Sequence, residues 1–224
     1  QEHLALRAWS GNGAVRLLAA YPADHALLLE RLASDRDLSM EPIDEACTRV
    51  GELLRRLDRP PLPQLDTLSA ATAGLLQRLR QPCPAVPRRF LEQARSLARE
   101  LVTDPGVDER LVHTELHFKN VLAGGSQRPG EWVAVAPRPL AADPAYAVWP
   151  VLHNRWAEAL AGDVGWEVRC RLGWTCDPAG IEQERARSWA IVRTVHLAVR
   201  LADEDPRVDL TAQVTLLKAL QPGA

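Results

Sequence analysis

The sequence predicts an α+β fold in which helices predominate, and three observations carry that expectation. Apolar residues recur at three- and four-residue steps through 39–58, 66–80, 87–102 and 178–220, the spacing that lays one buried stripe along a helix. Two apolar runs, 14–20 and 26–32, flank Tyr21, Pro22, Ala23, Asp24 and His25 and read as an antiparallel hairpin. A second group of short runs (Leu111 with Val112, Val121 with Leu122, and 132–135) surrounds a Gly-rich turn, and each is too short for a helix.

Each element has its own start and stop signals. Residues 2–9 read as the end of a helix, closed by Ser10, Gly11, Asn12 and Gly13; that glycine pair is too short to cradle a phosphate and reads as a turn. Ser39 is the expected cap of the next helix, which the proline-rich stretch 59–63 stops. A helix over 66–80 ends before Pro82 and Pro84, and one over 87–102 opens with Pro87 in its first turn. Asp143, before Pro144, reads mainly as another N-cap, with a metal or substrate role as the second reading. The last third predicts a long helix from Pro178, capped by Asp177, to about residue 202, a break at Asp205 and Pro206, and a final helix over 208–220. Trp189 and His196, seven apart, share a face with Ile181, Val192, Val195 and Val199 and read as packed core.

Composition narrows the function classes. A chain of 224 residues, 46% hydrophobic and 25% charged, makes one large domain or one domain and a fragment. Its formal charge of −2 supplies no basic surface for nucleic acid. No apolar run reaches eighteen residues and no signal-peptide pattern opens the chain, so a cytoplasmic location without a membrane partner is expected. Cys47, Cys83, Cys170 and Cys176 fall at irregular spacings, which argues against a zinc site or a disulfide framework. Lys119 and Lys218 are the only lysines.

The chemistry concentrates in 111–139. Glu115 is followed five residues later by Asn120, between two short apolar runs, with a third run after the glycine turn. This is the layout of a kinase catalytic loop, in which the acid accepts the proton of the attacking hydroxyl, the Asn holds magnesium, and a second acid after the next strand holds the metal against the phosphates.

The stretch H-T-E-L-H-F-K-N-V-L at 113–122, with V-A-P-R-P at 135–139, resembles the aminoglycoside phosphotransferases, most closely the streptomycin and hydroxyurea kinase branch, whose pattern is H-G-D-L-H-x-x-N-V-L followed by I-D-P-K-P. Residues 142–148 resemble that branch's G-D-P-A-Y-D-V, and W-P-V-L-H-N-R-W at 149–156 is close to its A-P-L-L-W-N-R-W. The resemblance implies a protein-kinase-like fold: residues 1–33 as a remnant of the small β lobe and its hinge, and 34–224 as the helical C-terminal lobe with the catalytic loop. It also implies ATP and Mg2+ as cofactors and a small molecule with a hydroxyl group as partner; oligomeric state stays open. Glu115 takes the place of the base, Asn120 is a catalytic and metal residue, and His117 orients the loop by hydrogen bonding, while His113 is structural. Backbone near Glu30 and Leu32 would face adenine, or else form an ordinary sheet edge. Lys119 either neutralises phosphate or is a solvated loop lysine.

Three of the branch's acids are changed: the base Asp is Glu115, the metal Asp is Ala136, and the acid after Tyr146 is Ala147. The extra methylene of Glu displaces a carboxylate by ~1 Å, which can cost on the order of a hundredfold in rate. Losing the metal acid is more serious, because magnesium at such sites is held by one or two carboxylates with the substrate phosphates. No lysine precedes position 119, so the phosphate-gripping lysine and the glycine-rich loop are expected to lie outside the chain, which would then begin inside the small lobe. The expectation is a scaffold that transfers the γ-phosphate of ATP to an antibiotic hydroxyl, with activity impaired or lost; the alternative is a non-catalytic, pseudokinase-like ligand-binding or interaction protein.

Overall fold

A computed structural model describes residues 1–223. Helix α1 (Glu2–Trp9) closes on Ser10 in the left-handed region, φ 48, with its N–H on Leu6 O. Trp9 is buried and its Nε1 donates to Leu57 O at 2.8 Å, which ties α1 to the end of the next helix. Strands β1 (Leu17–Tyr21) and β2 (Ala26–Leu29) form the expected antiparallel hairpin, with Tyr21 opposite Ala26.

Strand β3 (Ala33–Asp37) then joins a three-stranded sheet in the order β3, β5 (Val121–Ala123), β6 (Trp132–Ala134), so the segment after the hairpin is laid directly against the catalytic-loop region. Strands β4 (Arg110–His113) and β7 (Pro139–Ala142) make a separate antiparallel pair. Together these short ladders clamp the two ends of 113–139.

Helix α2 (Ile43–Arg56) starts later than the sequence suggests, and Ser39 is not its cap. Ser39 sits in a short 3-10 turn, Leu38–Met40, capped by Asp37. Pro42 explains the difference: a residue before proline is pushed to extended backbone, and Glu41, at φ −86 and ψ 159, interrupts any helix from 39. Helices α3 (Leu68–Arg78), capped by Thr67, and α4 (Arg88–Leu101), after Pro87, fall inside their expected ranges.

The last third departs most. Short helices α5 (Trp149–His153) and α6 (Trp156–Leu160) lead into α7 (Val164–Ala179), which carries Pro178 in its last turn and ends on left-handed Gly180. The long helix α8 (Gln183–Glu204) is capped by Glu182, not Asp177. The pattern of α7 is hard to read because Arg171 and Thr175 are buried in it beside Val168 and Leu172, which breaks the apolar period. Gly51 lets α2 meet α7 backbone to backbone: a Cβ there would stand 2.3 Å from Thr175 O. The final helix, α9 (Thr211–Ala219), starts at Thr211, whose N–H bonds Asp209.

Two apolar clusters fill the interior. One, among the helices, includes Phe90, Leu152, Trp189 and Leu217. The other includes Leu6, Trp9, Val50, Leu111, Leu116, Phe118 and Val133 and lies under the catalytic loop.

Candidate active site

His113 is the hub of the loop. At 1% exposure it stacks on Trp9, accepts the Glu115 N–H at Nδ1 (3.2 Å) and places Nε2 3.1 Å from Val135 O. Accepting at Nδ1 leaves the proton on Nε2 to donate to Val135. Burial pushes the ring down to about 4, so it is neutral at pH 7. One imidazole thus links the residue before Ala136 to the backbone of Glu115.

The rest of the loop is tied by its own amides. Asn120 Nδ2 donates to Glu115 O at 2.8 Å, the His117 N–H reaches the same carbonyl at 2.9 Å, and the Val135 N–H returns to Asn120 O at 2.9 Å. Phe118 is fully buried, and its N–H donates to Asn154 Oδ1 at 3.3 Å. Asn154 O in turn accepts from the buried Arg171 of α7. Glu115 and Asn120 therefore belong to one compact turn between strands, not to a continuous helix. The His117 side chain makes no hydrogen bond among the described residues; its backbone does the orienting. Burial lowers its pKa, offset in part by Glu115.

Arg193 is the residue that reading the sequence missed. It is 7% exposed, on α8. Its Nη1 donates to Thr114 O and Tyr146 O, each at 2.9 Å, and its Nη2 donates to Glu115 Oε1 at 2.8 Å. Its guanidinium lies 4.3 Å from the Tyr146 ring centre and 4.4 Å from that of Trp149, a doubly stacked cation. The available signal was a charge inside the stripe of Trp189, Val192 and His196. His196 itself is not core: it is exposed and lines a cavity of about 380 Å3 with Glu115, Trp149 and Arg193. Trp189 shares its face but is fully buried, with the Tyr146 ring of the turn Pro144–Val148 packed edge-on against it.

The position expected to hold metal is bare. Ala136 is exposed, with φ 50, a left-handed conformation that costs a non-glycine residue roughly 1–2 kcal/mol and that Asp and Asn tolerate better. Among the described residues no group of three His, Cys, Asp or Glu side chains is arranged for a metal. Asn120 Oδ1 is neutral, and the Glu115 carboxylate is held by Arg193. Asp143 is buried and spent as well, accepting Ala145 N–H, Arg185 Nε and Trp189 Nε1. The side chains present do not by themselves fit magnesium, which needs carboxylate oxygens. Ala147, at the position where the resembled G-D-P-A-Y-D-V pattern has its acid, is fully buried.

Of the residues expected to face nucleotide, Glu30 belongs to a separate ion-pair network, whereas Lys119 sits within this turn. The Glu30 carboxylate accepts the Arg16 N–H at 2.8 Å and Arg128 Nη1 at 2.9 Å, and Arg128 also reaches Gly11 O and Glu131. Leu32 packs against the cluster under the loop. Lys119 is exposed and has no ion pair among the described residues.

A sequence model described as aminoglycoside/hydroxyurea antibiotic resistance kinase matches residues 1–205. Streptomycin 6-kinase of Streptomyces glaucescens is 35% identical over 223 residues, covering 96% of this chain and 71% of that protein. Hydroxyurea phosphotransferase of Kitasatospora aureofaciens is 39% identical over 202 residues, covering 87% of this chain and 56% of that protein. Among solved structures, choline kinase LicA from Streptococcus pneumoniae superposes with a TM-score of 0.60 at 12% identity, covering 98% of this chain and 79% of that one. A thermostable mutant of aminoglycoside phosphotransferase APH(4)-Ia gives 0.59 at 15% identity, covering 100% and 84%. At such identities the structures speak to fold alone, and the fold is kinase-like. The chain belongs to the aminoglycoside/hydroxyurea antibiotic resistance kinase family.

Proposed function

We propose that this chain is a small-molecule phosphotransferase scaffold whose phosphoryl-transfer centre is impaired at the metal position while its acceptor side stays assembled. The single observation that carries the reading is Ala136: a left-handed residue, brought next to Asn120 by the Val135 N–H to Asn120 O bond, with no carboxylate where the resembled family pattern has one. In this reading residues 1–33 belong to the small lobe and hinge, with 34–224 the large lobe. Backbone near Glu30 and Leu32 lies toward the adenine of ATP, and Lys119 toward its phosphates.

Glu115 is the group that would accept the proton of an acceptor hydroxyl, and Arg193 fixes where its carboxylate points. Asn120 holds the loop closed through its amide nitrogen, and its side-chain oxygen accepts no hydrogen bond among the described residues. The cavity beside Glu115 is the acceptor side. The same contrast supports a second reading, a ligand-binding protein without turnover, since a bonded cavity survives beside a bare metal position.

The test is ATP turnover with magnesium in the parent chain, in Ala136→Asp and in Ala136→Gly, the last relieving backbone strain without adding a carboxylate. Turnover is expected to be absent or slow in the parent and in Ala136→Gly, and to rise at least tenfold in Ala136→Asp. A parent chain that turns over ATP as fast as Ala136→Asp would contradict the reading.

A further inference from the structure

The charges in the acceptor-side cavity are uneven. Arg138, Arg193 and Arg200 line it against a single carboxylate, Glu115, three positive charges to one negative. Arg193 and Glu115 cancel each other at 2.8 Å. Arg138 is exposed and makes no ion pair among the described residues. Arg200 has Glu204 at 3.8 Å, with both side chains more than 60% exposed, a surface pair that offsets little. His153 adds no negative charge: burial pushes it down to about 4, so it is neutral at pH 7 and cationic only in acid.

The aromatic surfaces point the same way. Trp149 and Tyr146 are the rings on which a ligand ammonium or guanidinium would rest, and Arg193 lies over both. A cationic ligand would find neither a free carboxylate nor these ring faces, and would meet two uncompensated guanidiniums. An anion would find donors: Arg193 uses three of its five N–H groups on Thr114, Tyr146 and Glu115, and Arg138 and Arg200 present planar forks suited to carboxylate or phosphate.

We infer that the acceptor pocket selects an anionic hydroxyl compound, an alcohol bearing a carboxylate or phosphate, over polycationic aminoglycosides. Arg138 and Arg200 grip the anion, and Arg193 holds Glu115 toward the hydroxyl. This rests on the assignment of the cavity as the acceptor side.

Titration calorimetry on the full chain without nucleotide or magnesium tests it, with inorganic phosphate and D-glycerate as anionic probes, streptomycin as the cationic probe and hydroxyurea as the neutral one. Both anions are expected to bind in the millimolar range and streptomycin not to bind. Arg138→Glu and Arg200→Glu, both at exposed positions, should each weaken the anions at least fivefold while keeping the parent's thermal midpoint, and Arg138→Glu should admit streptomycin. Streptomycin binding the parent more tightly than either anion would overturn the inference, as would anion affinity unchanged in both variants, or displacement of the anions by ADP, which would assign the cations to nucleotide phosphates. Because the anion and streptomycin titrations contain neither nucleotide nor magnesium, with ADP added only as a competitor, these results stand apart from the Ala136 experiment: either proposal can fail while the other holds.

Discussion

On the side of the loop that carries Glu115, charged and polar groups are bonded: the carboxylate to Arg193, Arg193 to two carbonyls and two rings, His113 to the backbone of Glu115 and Val135. On the side that carries Asn120 and Ala136, Lys119 and Ala136 are exposed, and the one left-handed non-glycine residue of the loop has no side chain to bond anything. The difference separates what holds a loop in shape from what lets it do chemistry. Backbone and buried groups set the shape and are intact here. Holding a metal against phosphate takes oxygen ligands, and in the reading proposed above the exposed Ala136 is the point that lacks one while the turn keeps its bonds.

The largest effect is expected from breaking the bonded side. Arg193→Met leaves the partly buried Glu115 carboxylate and two carbonyls without their donor, and urea unfolding should register a loss of about 3–5 kcal/mol; a loss below 1 kcal/mol would mean that water replaces Arg193 freely. Acid comes next. His113 and His153 are held near 4 by burial, below the ordinary 6.5, so the unfolded chain binds more protons than the folded one between those values. Their contribution is complete above pH 6.5 and is lost as pH falls toward 4, on the order of 3 kcal/mol each. Thermal midpoints from pH 7.5 to 4 should fall accordingly, and fall less steeply in His153→Gln.

The exposed side should respond weakly. Ala136→Gly relieves the left-handed strain and is expected to stabilise the chain by about 1 kcal/mol or less, whereas Lys119→Met should stay within about 0.5 kcal/mol of the parent in the same unfolding assay. A large destabilisation by Lys119→Met would erase the contrast between the two sides.

The sequence made the short strands, the first helices and the loop at 111–139 legible because period, proline and glycine act locally there. Ser39 misled because Pro42, three residues on, controls the backbone before it. Helix α7 was hidden because a buried Arg171 and Thr175 occupy core positions, so its pattern looks polar although it packs on several helices. Arg193 was hidden for a related reason: its role depends on Tyr146 and Trp149, some 45 residues away, meeting it across the fold. Ala136 stood out only against a family pattern; its left-handed backbone, which fits an acid better than alanine, is a fact of the folded chain alone.

The most direct test of the central claim is ADP affinity with and without magnesium in the parent, Ala136→Asp and Glu115→Asp. Ala136→Asp is expected to make ADP binding at least tenfold more magnesium-dependent, because it adds a charged oxygen beside Asn120, and Glu115→Asp to leave that dependence unchanged, because Glu115 is proposed to serve the acceptor side. Magnesium dependence that appears with Glu115→Asp and not with Ala136→Asp would contradict that claim.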